Sequence, residues 1–209
     1  MDYRRFVLGE LETNCYLVWS GRAAGVIDPG GPVDQLIQTI DQQGLELKWV
    51  LNTHGHGDHI AGNALLKEHY QVPVLIHAAD RLMLQSAAAN LSAFMGTAVV
   101  SPPATKNLAD GEILPLGEAG LEVIATPGHT PGGIALYTPG LLFSGDTLFR
   151  ESIGRTDFPG GDQRTILVSI RDRLLKLPQE TVVLPGHGEA TTIGHELKHN
   201  PYLVGIDAL

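Results

Sequence analysis

Between Thr53 and His59 the chain reads Thr-His-Gly-His-Gly-Asp-His, which puts three imidazoles and a carboxylate within six residues. Neutral imidazole and carboxylate are the nitrogen and oxygen ligands that suit zinc, iron or manganese. Taken singly, each residue has an ordinary role: Asp58 is a natural helix N-cap, and His59 could sit on the surface of a first turn. Three imidazoles crowded on one loop are explained together only by a cation. Such a loop needs a rigid platform. The apolar run Leu47–Leu51 before it reads as a strand and the residues after it as a helix. Gly55 and Gly57 are expected to free the backbone so that His54 and His56 aim inward, with Asp58 and His59 at the start of the helix.

The same arrangement returns three times. His129 follows the strand that ends at Ile124-Ala125, within Thr-Pro-Gly-His. Asp146 follows Leu141-Leu142-Phe143, within Ser-Gly-Asp, and His187 follows Val182-Val183-Leu184, within Pro-Gly-His. Each polar residue lies just past an apolar strand and directly behind a glycine. Loops that all leave strand C-termini can converge on one edge of a pair of sheets, the usual place for a site on a rigid scaffold.

Strand-like runs occupy Tyr3–Leu8, Asn14–Trp19, Ala23–Ile27, Leu47–Leu51, Val72–Ile76, Leu121–Ala125, Ile134–Tyr137, Leu141–Phe143 and Thr181–Leu184. Helical spacing predicts a helix through Val33, Leu36, Ile37 and Ile40. Further helices are expected over about 59–69, 79–91, 163–177 and 188–198. Two groups of strands, each backed by helices, predict an α/β chain in which two sheets pack face to face between helical layers.

Composition narrows the function. Lys and Arg number 14 against 23 Asp and Glu, a net charge of −9, which repels phosphate backbones and disfavours a general nucleic-acid binder. A single cysteine, Cys15, excludes an intrachain disulfide framework and a Cys-rich zinc module. No apolar run approaches the roughly 20 residues that span a bilayer. No leader of signal-peptide length follows the charged start, so a cytoplasmic protein without membrane attachment is expected.

The His-x-His-x-Asp-His loop, followed by His129, Asp146 and His187, resembles the metallo-β-lactamase fold superfamily. The resemblance takes in nearly the whole chain, including Asn14-Cys15-Tyr16 and Asp28 at the end of the third strand. It implies a four-layer αββα sandwich of two mixed sheets flanked by helices, with residues 1–209 forming one metallo-hydrolase domain. Within the superfamily the chain is similar to small glyoxalase-II-like, or hydroxyacylglutathione hydrolase-like, enzymes. That likeness rests on the loop Phe149–Phe158 with its Gly154-Arg155-Thr156-Asp157-Phe158 and on the tail from Pro185-Gly186-His187-Gly188 to Asn200-Pro201. The C-terminal helical domain of larger glyoxalase II enzymes is expected to be absent.

The resemblance implies two divalent metal ions, zinc first and iron or manganese as alternatives. His54, His56 and His129 would hold one ion, Asp58, His59 and His187 the other, and Asp146 would bridge them. Asp28 would support the ligand loop by hydrogen bonds; as a residue before Pro29-Gly30 it equally suits a local turn. The implied reaction is hydrolysis of S-lactoylglutathione or a related 2-hydroxyacyl thioester by a metal-bound hydroxide, as in methylglyoxal detoxification. Asp58 would serve as a catalytic group that accepts a hydrogen bond from that hydroxide. A thiol, with a pKa of about 8.5, leaves as thiolate without a general acid, and none is evident in the motif loops. Arg155 is read either as an anchor for a substrate carboxylate or as a partner of Asp157 or Asp162. The competing enzyme class is the iron-dependent persulfide dioxygenases, which share the ligand set and the Gly-Arg-Thr-Asp-Phe loop. Against them, Gly188-Glu189 follows His187, as in the hydrolases.

Overall fold

The computed structural model describes residues 1–94 and 96–206. Its N-terminal half builds a six-stranded mixed sheet from β1 (Asp2–Leu8), β2 (Thr13–Ser20), β3 (Ala23–Ile27), β4 (Glu46–Leu51), β5 (Val74–His77) and β6 (Lys106–Leu108), in that spatial order. The first three strands are antiparallel neighbours. From β3 to β6 the pairing is parallel, with β3 and β4 joined through α1 (Asp34–Gln42) and β4 and β5 through α2 (Gly57–Ile60) and α3 (Asn63–Tyr70).

The C-terminal half builds a second six-stranded sheet. Its strands are β7 (Ile113–Leu116), β8 (Ala119–Ala125), β9 (Ile134–Thr138), β10 (Leu141–Gly145), β13 (Val182–Pro185) and β14 (Thr191–Thr192), and their order is β14-β13-β10-β9-β8-β7. A small hairpin of β11 (Leu148–Phe149) and β12 (Ser152–Ile153) leaves the end of β10, and α4 (Gln163–Ser169) and α5 (Ile193–His199) follow.

The alternation of side chains makes four layers. Along β2, Tyr16 and Val18 face the second sheet, where they meet Leu121, Val123, Leu136 and Phe143. Cys15 and Leu17 face the other way, onto Leu36 and Ile40 of α1 and Leu66 of α3. A strand covered on both faces reads as an unbroken apolar run, as this one does. On the far side, Leu142 and Val183 pack against Ile166 of α4 and against Ile170, Leu174 and Ile193. Removing such a Leu or Ile side chain from water contributes about 1.5–3 kcal/mol. The αββα sandwich expected from the sequence is the architecture observed.

Several elements differ from the sequence reading. Residues 79–91 do not form a helix; only 3₁₀ turns occur, at Ala78–Asp80 and Met83–Gln85. Local polar groups take over the backbone there: Asn90 Nδ2 donates to the carbonyls of Met83 and Val99, and the Asn90 carbonyl accepts from Gly57 N–H. The helix expected over 59–69 is split at Ala61–Gly62, where Gly62 N–H turns to the Pro29 carbonyl. The helix expected over 163–177 widens into a π-turn at Ile170–Leu174, although Ile166, Ile170 and Leu174 still form one buried stripe. The last helix begins later, at Ile193, because Thr191 and Thr192 pair with β13 and Thr192 caps His195 N–H. Strands β6 and β7 escaped the sequence reading: β6 is three residues long, and β7 is an edge strand carrying Pro115. No helix among the described residues is long and apolar enough to cross a membrane.

Candidate metal centre

β3 pairs in parallel with β4 and β10 with β13, and β8 runs the same way as β10 because both are antiparallel to β9 between them, so these strands end at the same edge. The loops after β3, β4, β8, β10 and β13 deliver Asp28, His54–His59, His129, Asp146 and His187 to one edge of the sandwich. There three overlapping groups form: His54, His56 and His129; His54, His59 and Asp146; and Asp58, His59 and His187. Within each group the potential ligand atoms lie within 4.8 Å of one another. All seven residues predicted as ligands are thus brought together, with Asp146 between the two outer groups. Its Oδ1 is 3.5 Å from His59 Nε2, and its Oδ2 is 3.7 Å from His129 Nε2 and 3.6 Å from His187 Nε2.

Two of the rings are oriented by their other nitrogen. His129 Nδ1 is 2.7 Å from the Arg155 carbonyl, and His187 Nδ1 is 3.0 Å from the Leu11 carbonyl. A carbonyl only accepts, so both Nδ1 atoms carry the proton and, in the neutral rings, both Nε2 atoms present lone pairs to the centre. His129 Nε2 faces His56 Nδ1 at 3.0 Å, and His59 Nε2 faces His187 Nε2 at 3.3 Å. His54 Nε2 and Asp146 Oδ1 are buried with no hydrogen-bond partner. Unpaired buried acceptors are costly in a folded protein, and a ring of converging nitrogen and oxygen lone pairs is the chemistry that a divalent cation completes. The donor set therefore fits the metal ions its residue types suggest.

Electrostatics divides the centre. Burial, reinforced by neighbouring imidazoles, holds His54 well below the usual histidine range and His56 at about 3, so both stay neutral. Burial also pushes His59 down, but the carboxylates of Asp146, Asp58 and Asp28 overcome it and raise His59 to about 10. Burial pushes Asp58 up, yet the neighbouring His59 and His187 hold its carboxyl well below the usual carboxylate range. His187 is likewise raised, by Asp58 and Asp146 against its burial. One side thus holds two neutral imidazoles, His54 and His56, and the other is an ionic cluster rich in carboxylate.

Asp28 sits beneath this floor, 1% exposed. It accepts Thr53 N–H at 2.7 Å and the Thr53 hydroxyl at 2.6 Å, and its Oδ2 is 3.1 Å from His59 Nδ1. Of its two readings, support of the ligand loop is the one the geometry shows. Gly55 and Gly57 do not act as the sequence suggested. Neither takes a positive φ; a Cβ on Gly55 would lie 2.6 Å from Met83 Cβ, and one on Gly57 2.7 Å from Ser92 Cβ. Close packing of the 83–92 segment, rather than backbone freedom, requires glycine there.

The centre opens into a cavity of about 470 Å³ whose walls include Leu11, Leu91, Phe149, Ile153 and Phe158. Arg155 also lines it, but its guanidinium is engaged: Nε and Nη2 donate to Asp157 at 2.8 and 2.7 Å, and Cζ stacks 3.7 Å from the Phe158 ring centroid. Of the two sequence readings for Arg155, pairing with Asp157 is observed. Sequence reasoning missed Asp80, Thr53 and Leu11. Asp80 alone left a signal, an acid three residues past a strand end, hidden by the helix expected over 79–91.

Comparison with known proteins agrees with this geometry. The model of the metallo-β-lactamase superfamily matches residues 8–187. The chain is 39% identical over 210 residues to the probable metallo-hydrolase YqgX of Bacillus subtilis, covering 99% of each chain. It is 39% identical over 204 residues to the hydroxyacylglutathione hydrolase GloC of Haemophilus influenzae, covering 92% of this chain and 93% of that one. Among solved structures, it is similar to the BLEG-1 B3 metallo-β-lactamase (TM-score 0.94, 38% identity, 98% of this chain and 100% of that one). It is also similar to TTHA1623 in a di-iron-bound form (TM-score 0.86, 39% identity, 96% and 100%) and to ETHE1 from Myxococcus xanthus (TM-score 0.82, 31% identity, 98% and 85%). With its ligand-bearing loops on one edge of an αββα sandwich and a family match spanning most of its length, the chain belongs to the metallo-β-lactamase superfamily.

Proposed function

We propose that this protein is a metal-dependent thioester hydrolase acting on S-lactoylglutathione or a related 2-hydroxyacyl thioester, with zinc in both sites. His54, His56 and His129 would hold one ion, Asp58, His59 and His187 the other, with Asp146 between them. Two divalent ions in such a site supply Lewis acidity and bring the pKa of a water towards neutrality. The protein's own groups do the rest. Asp58 stays ionised beside His59 and His187, so its carboxylate can accept the proton of a hydrogen bond from the attacking water and fix its orientation. The apolar walls of Leu11, Leu91, Phe149, Ile153 and Phe158 shield the reacting carbonyl from bulk solvent.

The observation that carries this reading is the composition of the cavity. Its acidic side chains among the described lining residues are Asp58 and Asp146, both members of the ligand groups. A leaving group that departs without a proton suits such a site, and a thiolate does so where an amide nitrogen does not. Likeness to a hydroxyacylglutathione hydrolase supports the same class.

A second reading, an iron-dependent persulfide dioxygenase, is favoured by the three imidazoles of the first group, which suit iron as well as zinc, and by the di-iron form of a similar protein. One experiment separates the two. Purified protein of known zinc and iron content is assayed in parallel with S-lactoylglutathione, following free thiol, and with glutathione persulfide, following oxygen uptake. Hydrolysis without oxygen uptake is expected; oxygen uptake with no thioester turnover refutes the hydrolase.

A further inference from the structure

We infer that Asp80 is the positioning residue of the first histidine group, joining the His54–His56 loop to the His129 loop across the two halves, and that the second group is held by a separate device. Asp80 is fully buried in the turn after β5. Its Oδ2 accepts Gly55 N–H at 3.0 Å and the Thr130 hydroxyl at 2.7 Å, and its Oδ1 accepts Gly132 N–H at 2.7 Å. Gly55 lies between His54 and His56, and Thr130 directly follows His129. One carboxylate, which has room for about four hydrogen bonds, therefore ties together loops 25 to 52 residues away in sequence. The fit is tight: a Cβ on Gly132 would lie 2.6 Å from Asp80 Oδ1. Two ligand loops from different sheets thus share one acceptor, and the spacing of His56 and His129 follows from it.

The other group hangs from the β1–β2 hairpin. Asn14 Nδ2 donates to the carbonyls of Pro185 and Gly188 on either side of His187, and the Tyr16 hydroxyl donates to the same Pro185 carbonyl. The Leu11 carbonyl accepts from His187, and Thr13 Oγ1 lies 3.4 Å from Asp58 Oδ2. None of these hydrogen bonds involves Asp80. Its removal should therefore weaken one metal site and spare the other, which a merely structural residue would not do.

The inference rests on the assignment of two metal sites, and its test keeps the two ideas apart. Asp80→Asn preserves shape but turns an NH₂ group towards an N–H or O–H donor. Wild-type and variant full-length protein, stripped of metal, are titrated with Zn²⁺ against a chromophoric chelator and with Co²⁺ followed by visible absorption. For D80N, affinity at the three-imidazole site should fall about 10–100-fold, the range for loss of a group that orients ligands, with the other site within threefold of wild type. Asn14→Ala should show the converse. Parallel weakening of both sites in D80N, or no change beyond threefold, overturns the role of Asp80. Failure of wild-type protein to bind either ion overturns the metal sites themselves. Should D80N not fold, Thr130→Val removes one of the three hydrogen bonds at nearly constant volume, and the same site-selective loss, smaller in size, is required.

Discussion

Replacing Asp28 by Asn tests the support beneath the ligand loop without disturbing the backbone. Asp28 holds φ at +51°, a region that Asn enters as readily as Asp, so the change is confined to one atom of the side chain. Its amide has two orientations. In one, the NH₂ group faces Thr53 N–H, which now sits 2.7 Å away; two donors oppose each other, and a buried N–H loses its partner at a cost of about 1–3 kcal/mol. In the other, the NH₂ group faces His59 Nδ1, 3.1 Å from the present Oδ2, and donates to it. The ring proton must then move to Nε2, which points at Asp58 and Asp146, where a ligand would need its lone pair.

The first orientation loosens the ligand loop at Thr53, and the second takes the His59 lone pair from the Asp58–His59–His187 group. Zinc affinity there should fall about 10–100-fold, equivalent to about 1.4–2.8 kcal/mol. Stability of the metal-free protein should fall by about 1–3 kcal/mol, at about 2–4 °C of melting temperature per kcal/mol for a chain of this size. Chelator competition and thermal melts followed by circular dichroism read the two quantities separately. A variant that melts within 1 °C of wild type and binds two zinc ions with unchanged affinity refutes the reasoning, because neither orientation permits that result.

Two further outcomes follow from the same structure. His59 is raised to about 10, so below that pH it holds a proton that a metal ion must expel, and His187 of the same group is raised as well; apparent zinc affinity at the second group should therefore rise at least about tenfold per pH unit between pH 6 and 8, whereas His54 and His56, already neutral, release none. Calorimetry in buffers of differing ionisation enthalpy counts the protons released, and a pH-independent second site contradicts the assignment. Leu142→Ala, fully buried against Ile166 and Ile170, should lose about 2–5 kcal/mol in urea unfolding while keeping wild-type zinc stoichiometry, since its cluster lies on the outer face of the second sheet; loss of metal with little loss of stability would contradict that placement.

What was legible in the sequence was whatever a strand end displays locally. His129, Asp146 and His187 each stand behind a glycine after an apolar run, and that local grammar sufficed to gather them with His54, His56, Asp58 and His59. What it could not display was who holds whom. Asp80 sits in a segment, 79–91, whose apolar spacing suits a helix; there Asn90 and Asp80 also satisfy backbone groups of other loops, at Val99, Gly55 and Gly132, a tertiary effect that no local window contains. Arg155 looked available for an anion until Asp157, two residues on, took its Nε and Nη2. Gly55 and Gly57 looked like hinges because the residues that crowd them, Met83 and Ser92, lie far along the chain.

Each metal-binding group draws ligands from both halves of the molecule: His54 and His56 meet His129, and Asp58 and His59 meet His187. Neither sheet alone can therefore assemble a site, and the precision of the site must come from what fixes one sheet against the other. That fixing has two parts. The inner core, where Tyr16, Leu51 and Leu75 interlock with Leu121, Leu136 and Phe143, sets the separation of the sheets. Hydrogen bonds at the edge then set the register of the loops: Ile134 N–H to the Thr53 carbonyl, Asn14 N–H to the Gly186 carbonyl, and the Asp80 carboxylate to Thr130 and Gly132. Apolar packing is tolerant of small shifts, whereas a hydrogen bond weakens steeply when misaligned. The core thus confers stability, and the polar bonds at the seam confer ligand geometry. Substitutions in the first set should change how readily the protein unfolds, and those in the second which ions it holds.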